Sequence, residues 1–101
     1  MTVYANNLKK ELGSNLKAVI LYGSCARGDH EVGSDIDVFV LLKDASKGDI
    51  DIIDKLSIEL DWSYDTLIAC TIRSADVYSK YYYETLYQNI RREGRVYYGA
   101  A

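Results

Sequence analysis

Asp35 and Asp37 stand two residues apart in the segment DIDVFVLL. On an extended strand that spacing points both side chains to one face, close together. The run Val38, Phe39, Val40, Leu41 and Leu42 predicts a strand buried on both faces. Two like charges beside a core are costly unless something neutralises them. A divalent cation does so, and hard carboxylate oxygens favour Mg²⁺ or Mn²⁺. Asp65 opens a later apolar segment, DTLIACTI. If that segment forms a strand beside the first, its carboxylate can join the pair. Three carboxylates can hold two metal ions, one to activate a nucleophile and one to steady a leaving phosphate. Asp61 and Glu59 stand near enough in the sequence to take the third place instead.

Such a site also needs a way to hold phosphates. Gly23 and Ser24 follow the apolar run LKAVILY and precede a small, polar stretch. A glycine at a strand-to-helix turn lets the backbone approach a phosphate, and amides at the helix start point towards it. The Ser24 hydroxyl adds a donor. Arg27 can add a fork-shaped charged contact, or pair with Asp29 or Glu31. Alone, Gly23-Ser24 fits an ordinary turn, and Asp35-x-Asp37 fits a strand end with solvated acids. At this spacing, between apolar strands, the two together favour the functional reading.

The elements that would position these residues follow from periodicity. Thr2 can cap a helix to Leu12, with Gly13 as its stop. Leu16 to Tyr22 and Asp35 to Leu42 read as strands. In the second, Ile36, Val38, Val40 and Leu42 share one face, and Asp35, Asp37, Phe39 and Leu41 the other. Lys43 to Gly48 reads as a turn. Asp49 to Leu60 reads as a helix with Ile50, Ile53, Leu56 and Leu60 as its apolar stripe. Asp65 to Ile72 makes a third strand. Ser74 caps a last helix to about Glu93, with Tyr82, Leu86 and Ile90 as a core stripe and Gly94 as its stop. Val96 to Tyr98 adds a short edge strand. The expected architecture is an α/β fold of the α+β type: a small mixed sheet with helices packed mainly on one side.

Composition narrows the function classes. The 101 residues suit one domain, residues 1–101. Twelve Lys+Arg against fifteen Asp+Glu, a formal net charge of −3, offers little to grip a long nucleic acid. Arg73, Lys80, Arg91, Arg92 and Arg95 leave room for a local basic patch. Cys25 and Cys70 with the single His30 do not make a metal-ligand cluster. No signal peptide opens the chain and no apolar run approaches the roughly 20 residues that span a bilayer. The expectation is a cytoplasmic protein with free thiols and no membrane. Tyr78, Tyr81, Tyr82, Tyr83 and Tyr87 place aromatic rings all round the last helix, more than one core face can bury. That suggests a contact surface for a partner or a second copy.

YGSCARGDHEVGSDIDVFVLL resembles the signature of the minimal nucleotidyltransferase family of the DNA polymerase beta superfamily: Gly-Ser, ten residues, then Asp-x-Asp. The flanks match, with Ala26-Arg27-Gly28 inside the turn and Ser34 before the first aspartate. SYDTLIACTI and YQNIRREGRVYYG resemble the family's later segments, so the likeness runs from about Lys17 to Gly99. Cys25 departs from it, since a basic residue is frequent there. The resemblance implies a nucleotidyltransferase fold with Asp35, Asp37 and Asp65 as catalytic metal ligands. It further implies Gly23, Ser24, Arg27 and Ser34 at the nucleotide, and transfer of a nucleoside monophosphate from a nucleoside triphosphate to a hydroxyl. Short members resemble antitoxins paired with an all-helical HEPN protein. That implies AMP transfer from ATP, with Mg²⁺, to a tyrosine hydroxyl of such a partner.

Overall fold

The computed structural model describes residues 2–23, 36–64 and 68–99, with backbone alone at 60–64. Helix α1 spans Thr2–Leu12 and runs into a 3₁₀ turn, Gly13–Asn15. Gly13 stops it at φ 58°, a left-handed conformation in which glycine has no Cβ to clash. Strand β1 (Leu16–Tyr22), strand β2 (Ile36–Leu42), helix α2 (Lys47–Tyr64) and strand β3 (Ile68–Ser74) follow. Helices α3 (Ala75–Lys80) and α4 (Thr85–Glu93) and strand β4 (Arg95–Gly99) complete the described fold.

The sheet has the order β3-β2-β1-β4. β1 runs antiparallel to β2 and β4, and β2 runs parallel to β3 through the α2 crossover. The expected mixed sheet is therefore present, with β4 at an edge. The helices do not sit mainly on one side as expected: α1 and α2 cover one face and α3 and α4 the other, because the aromatic face of β2 needs its own cover. On the first face Val19, Leu21, Val38, Val40 and Leu42 pack against Tyr4, Ala5, Leu8 and Leu12 of α1 and Ile53 of α2. On the other face Ala18, Ile20, Phe39 and Leu41 meet Tyr78 of α3 and Tyr87 and Ile90 of α4. The two-residue period of β2 separates these sets as expected. No helix among the described residues is long and apolar enough to cross a membrane.

Besides small extensions of β3 to Ser74 and of β4 to Arg95 and Gly99, two elements differ from expectation. Helix α2 starts two residues before Asp49 and reaches Tyr64. Asp49 lies in its first turn, with its backbone N–H on the Ser46 hydroxyl at 3.3 Å. The second difference is larger. The single helix expected between Ser74 and Glu93 is broken at residues 81–84. Ser74 does cap α3, its hydroxyl accepting from the Val77 N–H, and Gly94 does close α4, donating to the Ile90 carbonyl. The break has a packing reason. Tyr78 and Tyr87 are nine residues apart, about half a turn out of phase on an unbroken helix. Only a bend lets both rings reach Phe39, at centroid distances of 5.8 and 5.9 Å. The carbonyls freed at the bend find side-chain donors: Arg91 Nη2 donates to Tyr82 O and Gln88 Nε2 to Tyr83 O, both at 2.6 Å. The expected stripe fails with the helix. Ile90 is buried, but Tyr82 and Leu86 are exposed.

Candidate functional site

β1 ends beside the start of β2, so the turn and the acidic strand meet. Tyr22 is the register partner of Asp37, and Gly23 follows at φ 75°. A Cβ built on Gly23 would stand 2.5 Å from Asp37 Oδ2. Glycine is required here twice over, by the left-handed backbone and by the carboxylate against it. The hydrogen in place of a side chain lets the turn close directly onto the Asp37 carboxylate. Asp37 is half-buried, on the face that carries Phe39 and Leu41.

β3 supplies the other wall. Ala69 pairs with Asp37 and Thr71 with Phe39 in the parallel register, so both share the Asp37 face. Ala69 is exposed. Tyr22 leans over β2, its ring against the aromatic core and its hydroxyl 3.1 Å from Thr71 Oγ1. The sequence reading assigned Tyr22 no role. Its place one residue before Gly23 on a period-two strand was the available signal.

Of the expected site residues, Gly23 and Asp37 are brought together. Ser24, Arg27, Ser34, Asp35 and Asp65 lie outside the described residues, as does Cys25. The strand that Asp65 precedes does lie beside β2. Glu59, the alternative third carboxylate, is exposed on α2, whose buried residues pack on the sheet face opposite Asp37. Among the described residues no three His, Cys, Asp or Glu gather as a metal cluster.

The opposite face holds a different polar group. The Tyr4 hydroxyl stands 2.8 Å from Ser57 Oγ and 3.2 Å from Cys70 Sγ, and Ser57 Oγ is 3.1 Å from that sulfur. Ser57 Oγ donates to the Ile53 carbonyl at 2.8 Å. Burial, and next the neighbouring Cys70, push the Tyr4 hydroxyl above the usual phenol range. Tyr4 and Cys70 therefore join α1 to β3 through hydrogen-bonding side chains.

A mixed sheet that sets a strained glycine turn against an aspartate of the next strand is the frame of a nucleotidyltransferase. The family model of the nucleotidyltransferase domain matches residues 5–96, and the chain belongs to that family. It is 34% identical over 98 residues to a protein of Methanocaldococcus jannaschii that bears the provisional name protein adenylyltransferase, covering 94% of this chain and 91% of that protein. Among solved structures, it resembles a chain of a toxin–antitoxin crystal structure with AMP-PNP, at 21% identity and TM-score 0.68, over 98% of this chain and 73% of the other. It also resembles a chain in the complex of tri-AMPylated Shewanella oneidensis HEPN toxin with its MNT antitoxin, at 18% identity and TM-score 0.59, over 98% and 70%. At these identities the two structures speak for the fold.

Proposed function

We propose that this nucleotidyltransferase moves AMP from ATP to a hydroxyl of a helical, HEPN-type partner protein and so serves as its antitoxin. The observation that carries the reading is the close approach of Gly23 to Asp37, a left-handed glycine turn against a carboxylate. The relative named as a protein adenylyltransferase supports a protein acceptor. The toxin complexes among the structural neighbours support a toxin as that acceptor.

The donor set fits Mg²⁺ or Mn²⁺. Asp35, Asp37 and Asp65 would hold the ions, and the space that a Gly23 side chain would fill lies beside Asp37 Oδ2. Bound cations there, two in this reading, neutralise the carboxylates and the charge gathering on the phosphates in transfer. The chain does the positioning. Gly23, the Ser24 amide and hydroxyl, Arg27 and Ser34 hold the triphosphate. The acceptor oxygen forms a bond to the α-phosphorus as the bond to the β-phosphate oxygen breaks. Pyrophosphate leaves, and the acceptor proton passes to a carboxylate of the acidic set. The acceptor is held by docking, since the isolated 101 residues offer little with which to select a small one. The partner's basis for docking is the α3–α4 segment, where Tyr81, Tyr82, Tyr83 and Leu86 are exposed and the cations Arg92 and Arg95 follow. A second copy of the chain is the other occupant that surface would suit.

The test is to incubate chain and partner with labelled ATP and Mg²⁺ and to weigh the partner. A gain of one or more adenylates is expected. A partner that forms a stable complex yet gains no adenylate would instead make this chain a neutralising binder.

A further inference from the structure

We propose that Tyr22 and Thr71 are a positioning pair that holds the Gly23 turn and the start of β3 at fixed spacing on either side of Asp37. The inference rests on the functional reading above and extends it to two residues outside the phosphate turn and the acidic set.

β1 and β3 share no backbone hydrogen bonds, because β2 lies between them. Two strand spacings, roughly 10 Å, separate them. The Tyr22–Thr71 hydrogen bond crosses that gap between residues 49 apart in sequence. It lies on the Asp37 face. Tyr22 is opposite Asp37, and Thr71 is opposite Phe39, two residues further along β2. The Tyr22 ring is held from below by the aromatic core, so its hydroxyl has little freedom to leave Thr71. Both residues are half-buried, which limits competition from water.

The tie bears on chemistry through its neighbours. Tyr22 is covalently next to Gly23, and Gly23 abuts Asp37 Oδ2. Thr71 is two residues from Ala69, the β3 partner of Asp37. Phosphoryl transfer needs phosphates and carboxylates placed to a fraction of an ångström, and an error of 1 Å can cost on the order of a hundredfold in rate. A cross-sheet tie one residue from the phosphate turn sets that placement.

The test separates the hydrogen bond from packing. Thr71→Val keeps the side-chain volume and loses the hydroxyl, Thr71→Ser keeps the hydroxyl and loses a methyl, and Tyr22→Phe keeps the ring. With the partner protein and ATP, Tyr22→Phe and Thr71→Val should each lower kcat about tenfold, with ATP affinity within about twofold of wild type. The double variant should be no slower than either single one, and Thr71→Ser should turn over near the wild-type rate. The inference is overturned if Thr71→Ser is as slow as Thr71→Val, or if Tyr22→Phe and Thr71→Val both run at wild-type rate. A wild-type chain that transfers no adenylate sinks the functional reading instead. Amide exchange at Gly23 and Ala69 then decides for the tie: faster exchange in Tyr22→Phe and Thr71→Val supports it, and unchanged exchange overturns it.

Discussion

The two faces of the sheet are built from different materials. One is aliphatic, with Leu8, Val19, Val38, Val40 and Ile53 closed under the two long helices around a hydrogen-bonded triangle of Tyr4, Ser57 and Cys70. The other is aromatic, with Phe39, Tyr78 and Tyr87 gathered under two short helices, and it carries Asp37 at its open end. Branched aliphatic side chains on long helices fill space densely and leave no gaps. Large rings on broken helices bury a core with few residues. The first face sustains the fold, and the second leaves room for a site.

Substitutions can break that division of labour. Asp37→Asn removes a charge without changing shape; if Asp37 holds metal as proposed, adenylate transfer should fall by at least about a thousandfold in an ATP-turnover assay, while thermal unfolding stays at or above wild type. Gly23→Val brings a branched side chain into the position now held against Asp37 Oδ2 and strains a left-handed residue. Nucleotide affinity, read by calorimetry with Mg²⁺, should drop by about a hundredfold, roughly 2.7 kcal/mol, and a variant that binds ATP normally would place the phosphates elsewhere.

Gly94→Ala asks whether the aromatic face is as intolerant as the aliphatic one. Its Cβ would stand 2.3 Å from the Ile90 carbonyl and 2.4 Å from Ile20 Cγ2. A loss of about 2 kcal/mol in urea unfolding is expected, an overpacking cost within the usual 1–3. Ser57→Ala sharpens the contrast from the other side. It leaves the Tyr4 hydroxyl with Cys70 alone as its side-chain partner. Stability should fall by about 1 kcal/mol, and ATP turnover should hold, because the residue lies on the face opposite Asp37.

Much of this was legible from the chain. Period-two alternation in DIDVFVLL sorted Val38, Val40 and Leu42 from Asp37, Phe39 and Leu41, and the sheet keeps that division. A glycine after an apolar run, twelve residues before the first aspartate, identified the turn that meets Asp37. The helix break was not legible. Neither Gly nor Pro stands between Ser74 and Glu93, and the modest helix propensities of Tyr81, Tyr82 and Tyr83 do not by themselves end a helix. What breaks it is the need of Tyr78 and Tyr87, half a turn apart, to reach one phenylalanine on a distant strand, and such a tertiary demand leaves no local mark. Tyr22 escaped notice for a related reason, because its partner Thr71 is 49 residues away.

The fourth strand carries a consequence for synthesis. β4 pairs with β1, setting Gly99 opposite Ala18, and a Cβ on Gly99 would stand 1.9 Å from the Lys17 carbonyl. Closing a loop of that length is entropically costly, and the helices and β2–β3 contacts between them can form earlier. On the ribosome, β1 must therefore emerge with β2 along one side and keep its other side bare until residue 99 has left the tunnel. For that interval the nascent chain displays an unpaired apolar strand, LKAVILY, and is at its most prone to aggregation.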